Sequence, residues 1–184
     1  HVIMNFDELL EKVTQEIDKK ARRLALTLLE EAVRAADPRI AIRNHVKLSK
    51  DKEILKVDEA RFNIKESDNV FVIGGGKAAG AMAEETEKLL GESISGGCVS
   101  ILRGTRDMFN TKSVELREAS HPIPAEENVA ATEEILAIVD RATPKDTILC
   151  LFSGGGSALF SLPAPTVKLE DFQEVVRQLL KRGA

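Results

Sequence analysis

The segment Asn69-Val70-Phe71-Val72-Ile73-Gly74-Gly75-Gly76-Lys77-Ala78-Ala79-Gly80-Ala81-Met82 limits the choice of fold most sharply. Val70 to Ile73 is an unbroken apolar run, the pattern of a parallel strand covered on both faces. Gly74, Gly75 and Gly76 permit positive φ and close approach by a ligand. A helix that opens after them would aim free N–H groups and a positive dipole end at whatever lies above the turn. Lys77 stands at that place, where the dipole disfavours a cation unless an anion faces it. The segment therefore reads as a strand, a turn suited to phosphate, and a helix. A βα turn that only packs a helix on a sheet is the plainer alternative.

Two phosphate-binding motifs can be compared with it. The Walker pattern needs glycine where Phe71 stands and Ser or Thr where Ala78 stands, so it fails twice. The dinucleotide pattern is met by Gly74, Gly76 and Ala79, although a glycine triplet supplies half of it automatically. The acid that pattern expects after the next strand, Gly97 to Leu102, is absent, and Arg103-Gly104-Thr105-Arg106 follows instead. An arginine there suits a 2′-phosphate, which keeps an NADP reading open.

A second strand–glycine unit lies downstream. Thr147 to Phe152 is apolar and runs into Ser153-Gly154-Gly155-Gly156-Ser157, while Ser120-His121-Pro122-Ile123-Pro124 breaks a strand over Ser113 to Ala119. All three breaks belong to the carboxyl edge of a parallel sheet, where open α/β folds bind ligands. Backbone amides of Gly154, Gly155 and Gly156 with the hydroxyls of Ser153 and Ser157 form a nest suited to phosphate oxygens. Lys77 can stabilise charge on a transferred phosphoryl group. His121 is either a general base, a hydrogen-bond donor to a carboxylate, or simply a turn residue before proline. Ser157 is no hydrolase nucleophile, because G-x-S-x-G would need glycine at Leu159. His45 reads as structural and without partners. No metal-ligand spacing is visible, and the acids fall mainly on helix faces in the manner of a solvated surface.

The remaining elements fit this frame. Asn5 caps a long helix whose apolar residues Phe6, Leu10, Val13, Ile17, Ala21, Leu24, Leu28, Ala32 and Val33 form a stripe. Asp37-Pro38 ends it, and packing on its own domain is expected. A short helix over Arg39 to Val46, small strands between Lys47 and Ile64, and a helix from Ala78 to Leu90 capped by Gly91 follow. Glu126 to Arg141 is helical, with Val129, Ile135, Leu136, Ile138 and Val139 inward, and a last helix runs from Leu169 to Leu180 before Gly183. Strands alternating with helices give an α/β, Rossmann-like fold with a mostly parallel sheet flanked by helices and a long N-terminal helix. The domain is expected over 5–184. His1-Val2-Ile3 reads as a tag remnant and Met4 as the native start.

Composition narrows the functions. A formal net charge of −4 and pI near 5.5, with Trp and Tyr absent, argue against a nucleic-acid surface. No run is long enough to span a membrane, and nothing resembles a secretory signal. Cys98 and Cys150 read as reduced core residues, and a cytoplasmic location is expected.

Several segments in order and spacing resemble the glycerate 2-kinases of the MOFRL type. They are Asp37-Pro38-Arg39, Ala41-Ile42-Arg43-Asn44-His45, Gly-Gly-Lys77-Ala78-Ala79 with Met82, the strand from Gly96, His121-Pro122-Ile123-Pro124, and Leu151-Phe152-Ser153-Gly154-Gly155-Gly156-Ser157. The resemblance runs from about Asp7 to the last residue. It implies ATP-dependent phosphorylation of D-glycerate at its 2-hydroxyl with Mg²⁺, at a cleft between a Rossmann-like N-terminal domain and a second domain. The family's lysine carries over to Lys77 and its serine–glycine loop to Ser153–Ser157. Family members usually have Asp where Ala125 stands, and they are far longer than a chain ending at Ala184. The expectation is an N-terminal portion that does not turn over glycerate alone. Two alternatives stand beside it: an NADP-linked hydroxypyruvate reductase, and a non-catalytic nucleotide- or phosphate-binding module. A homodimer through the long helix is compatible with the pattern.

Overall fold

The computed structural model describes residue 11 and residues 16–183. The start of the long helix, with Asn5, Phe6, Leu10 and Val13, lies outside them. The chain divides into two compact units, residues 1–41 and 42–184. The described helices are α1 (Glu16–Ala35), α2 (Pro38–His45), α3 (Ala79–Leu90), α4 (Glu126–Arg141), α5 (Gly156–Leu159) and α6 (Leu169–Lys181). The strands are β1 (Val46–Leu48), β2 (Ile54–Val57), β3 (Ala60–Asn63), β4 (Val70–Gly75), β5 (Gly96–Leu102), β6 (Val114–Ala119) and β7 (Thr147–Phe152).

Asp37 separates the first two helices. Its Oδ1 accepts the Arg39 N–H at 2.8 Å, so it caps α2 just before the helix-starting proline. Packing of the α1 stripe is not observed. Leu24, Leu28, Leu29 and Val33 are exposed. Periodicity shows that a helix has an apolar side but not what covers that side. His45, expected to be isolated, instead has its Nδ1 2.6 Å from Asp58 Oδ1, in the turn between β2 and β3.

β1, β2 and β3 form a small antiparallel sheet. The main sheet has four parallel strands in the order β6-β5-β4-β7. The chain therefore starts in the middle at β4, steps one way through β5 and β6, then returns to the other side at β7. Alternation along β4 feeds two cores. Val70 and Val72 pack with Ala79, Ala83, Val99 and Ile101 on the α3 side, while Phe71 and Ile73 pack with Cys98, Ile135 and Ile138 on the α4 side. The inner face of α4 is Asn128, Ala131, Thr132, Ile135 and Ile138. Val139, expected inward, is exposed. Gly91 ends α3 at φ +54°, with its N–H on the Glu87 carbonyl, as its placement predicts.

β7 departs from expectation. It is an end strand of the main sheet, and Cys150 and Phe152 are exposed. An apolar run cannot distinguish a central strand from an edge, because only the neighbours decide that. Cys98 is buried, and burial first, then the nearby Glu134, pushes its thiol up to about 12. The acids also depart from a purely solvated role. Glu84 and Glu85 are buried, Glu85 against Arg43 at 2.9 Å. The Glu87 carboxylate accepts the amides of Lys112, Ser113 and Val114 at 2.6, 3.1 and 3.0 Å. No helix among the described residues is long and apolar enough to cross a membrane.

Candidate functional site

The strand order reverses between β4 and β7, and both glycine loops leave the sheet there. In open α/β sheets that crevice is where ligands bind. The two loops are joined by backbone hydrogen bonds. Ser153 N–H donates to Gly75 O at 3.2 Å, and Lys77 N–H donates to Gly154 O at 2.9 Å. The Ala78 N–H donates to Ser153 Oγ at 3.0 Å, and Gly76 N–H donates to Ser100 O at 3.2 Å. The amides of Gly76, Lys77 and Ala78 are thus used inside the protein.

The close approach that requires glycine at 74–76 is made by the protein itself. A Cβ at Gly74 would fall 2.0 Å from Leu151 O, and one at Gly76 would fall 2.2 Å from Ser153 Oγ. At Gly75 it would come within 3.1 Å of Phe160 Cβ. These three glycines are buried beneath the site and let β7 and its loop lie against β4.

Above them the other candidates converge. Gly155 is left-handed at φ +84°, and a Cβ there would lie 3.0 Å from Lys77 Cε and 3.2 Å from both Cδ2 and Nε2 of His121. One residue from each loop therefore meets at a single point. The Lys77 side chain is exposed and forms no ion pair with a described residue, and His121 is half-buried. Its imidazole is held below its ordinary pKa, first by burial and then by the Lys77 ammonium, so the neutral ring is favoured. The amides of Gly154, Gly155 and Ser157 donate to no other described residue. Gly156 donates its N–H back to Ser153 O at 3.2 Å, and Ser157 is exposed. Ser153 is half-buried, its oxygen facing the first loop.

The chemistry available in these loops is one ammonium and one neutral imidazole meeting at Gly155, three amides with no described partner, and a hydroxyl. Groups of that chemistry suit an anion. They are a poor set for Mg²⁺, which prefers carboxylate and water oxygens. Among the described residues no group of three or more His, Cys, Asp or Glu side chains is placed to hold a metal ion. The described residues do not fit a Mg²⁺ site.

One expected residue takes an unexpected role, and one contributor escapes the sequence patterns. Ser153 accepts an amide from the first loop, a role invisible until the loops are seen side by side. Asn128 is fully buried on the inner face of α4 and bonds both Ser120 and Ala158. A polar residue in register with Ala131, Thr132, Ile135 and Ile138 is the signal that would have found it.

A family model described as a domain of unknown function, DUF4147, matches residues 24–184. The chain belongs to that family. Among curated members, a glycerate 2-kinase of Pyrococcus horikoshii is 41% identical over 163 residues, which are 89% of this chain and 35% of the relative. A putative hydroxypyruvate reductase of Agrobacterium vitis is 31% identical over 167 residues, 91% of this chain and 34% of the relative. The crystal structure of a glycerate kinase from Thermotoga maritima superposes with a TM-score of 0.69 at 32% identity, covering 90% of this chain and 36% of that one. The chain thus spans about a third of the length of the relatives it matches.

Proposed function

We propose that this segment supplies the phosphoryl-handling part of an enzyme that phosphorylates D-glycerate at its 2-hydroxyl from ATP. The convergence of Lys77, His121 and Gly155 at the reversal of strand order carries the reading. The glycerate kinase names among its relatives supply the substrate. In the reaction the 2-hydroxyl oxygen bonds to the γ-phosphorus, and the bond from that phosphorus to the bridging oxygen of ADP breaks. Lys77 and the amides of Gly154, Gly155 and Ser157 face the charge on the transferred group. Neutral His121 accepts the hydroxyl proton and passes it to solvent. A cytoplasmic location is part of the same reading, since ATP and two free thiols belong together in a reducing compartment.

A coupled assay of ADP release with D-glycerate, on a protein of the relatives' length that contains this segment, tests the proposal. Lys77→Ala should lower kcat by roughly two to three orders of magnitude. A loss under threefold would reduce Lys77 to a surface residue. The name of the Agrobacterium vitis relative favours a second reading, reduction of hydroxypyruvate. Of the two arginines that could suit a 2′-phosphate, Arg103 is paired with Glu127 and Arg106 donates to Phe109 O at 3.0 Å, which weakens it. Oxidation of NADPH by hydroxypyruvate, followed at 340 nm, would reverse that preference.

A further inference from the structure

We infer that Asn128 is a positioning residue that sets the spacing between the His121 loop and the Ser153–Ser157 loop. Its side chain is fully buried at the start of α4. The oxygen accepts the amides of Ser120 at 2.8 Å and Ala125 at 3.1 Å. The nitrogen donates to Ser120 O and to Ala158 O, both at 2.8 Å. A carboxamide offers two N–H donors and one oxygen with two lone pairs, so every valence is used. The donor and acceptor ends are fixed by this network, because reversing the amide would set two N–H groups against two N–H groups and an oxygen against two carbonyls.

The partners explain what the residue does. Ser120 immediately precedes His121, and Ala125 closes the same loop. Ala158 immediately follows Ser157. One rigid amide therefore spans the two segments that bring the imidazole and the free amides to the same point. Asp at 128 keeps the acceptors but loses both donors, and Ala loses all four bonds. No other described side chain bonds both segments: Gln173 reaches only Pro124 O, at 2.7 Å, and Ser161 only Ser157 O and Ala158 O, at 2.6 and 2.9 Å.

The catalytic meaning of this spacing rests on the reading above, but the geometry can be measured without it. NMR spectra of the chain should show the His121 ring and the amides of Gly154, Gly155 and Ser157 displaced in Asn128→Ala and, less so, in Asn128→Asp. The His121 titration midpoint should rise in Asn128→Ala toward the ordinary value of about 6.5 as the loop opens to water. Thr132→Val is the control, because the Thr132 hydroxyl donates to Asn128 O at 2.8 Å one turn along and to neither loop. It should leave these signals in place. A folded Asn128→Ala chain with unchanged His121 and Gly155 signals would overturn the inference. Should neither Asn128 variant fold, the wild type decides: slow exchange of the Asn128 side-chain amide protons and the Ser120 amide supports the strut, and exchange as fast as surface amides overturns it. Loop displacement in the Asn128 variants, beside a wild-type protein of the relatives' length that contains this segment and shows no kinase activity, would remove the kinase reading and leave this inference standing.

Discussion

Gly155 holds φ at +84° with its absent side chain aimed between Lys77 and His121. Gly155→Ala must therefore bear both a left-handed backbone and a methyl group in the site. The backbone alone costs about 1–2 kcal/mol. Chemical denaturation of the variant should show a stability loss of at least that size, and a loss under about 0.5 kcal/mol would mean the loop refolds freely. His121 gives a pH dependence with a definite sign. Its folded pKa lies below the unfolded value of about 6.5, so on acidification the unfolded chain takes up this proton first. Its contribution to stability is present above the ordinary value and is lost as pH falls from there toward the folded pKa. The fall in Tm between pH 7.5 and 5.5 should be smaller in His121→Gln than in the wild type. An equal fall in both would contradict the account. At this scale the sequence exposed the residue types, since two glycine triplets, a lysine at a helix start and a His-Pro break are all visible by inspection. What it hid was direction. Nothing in Ser153-Gly154-Gly155-Gly156-Ser157 says that Ser153 faces Ala78 while Gly155 faces His121, because that depends on how two distant loops pack.

Among elements, α3 does more than cover the sheet. Glu87 near its end gathers three successive amides from the segment leading into β6, and Glu84 accepts the amide of Asn110 at 3.0 Å. Hydrogen bonds to a charged acceptor contribute about 1.5–3 kcal/mol each when buried, and much less when water competes as it does here. Glu87→Ala should cost about 1–2 kcal/mol in total and speed amide exchange at 112–114. Exchange at Gly154 and Gly155 should not change, because their loop meets the start of α3 while Glu87 lies near its end. Unaltered exchange at 112–114 would show that the carboxylate is idle. Element types and their order were readable because periods of two and of three to four differ plainly. Partners were not readable. β7 is as apolar as β4 yet lies at an end of the sheet, and the α1 stripe is exposed among the described residues. Both follow from the same cause, that an apolar pattern records a preference for cover without naming the cover.

At the scale of the whole molecule, the order β6-β5-β4-β7 turns two ordinary strand–glycine units into one site. Were β7 placed beyond β6, Lys77 and Gly155 would be separated by the width of two further strands, roughly 10 Å. The topology, rather than either glycine motif alone, brings the residues of the proposed anion site together. Family membership and a superposition at TM-score 0.69 agree with that arrangement. A titration of the ¹⁵N-labelled chain with inorganic phosphate and with ATP, followed residue by residue, tests this most directly. The account predicts that the amides of Gly154, Gly155 and Ser157 and the ring of His121 move together, that Gly74–Gly76 move little, and that Lys77→Ala abolishes the response. Shifts that avoid these residues, or that persist undiminished in Lys77→Ala, would contradict it.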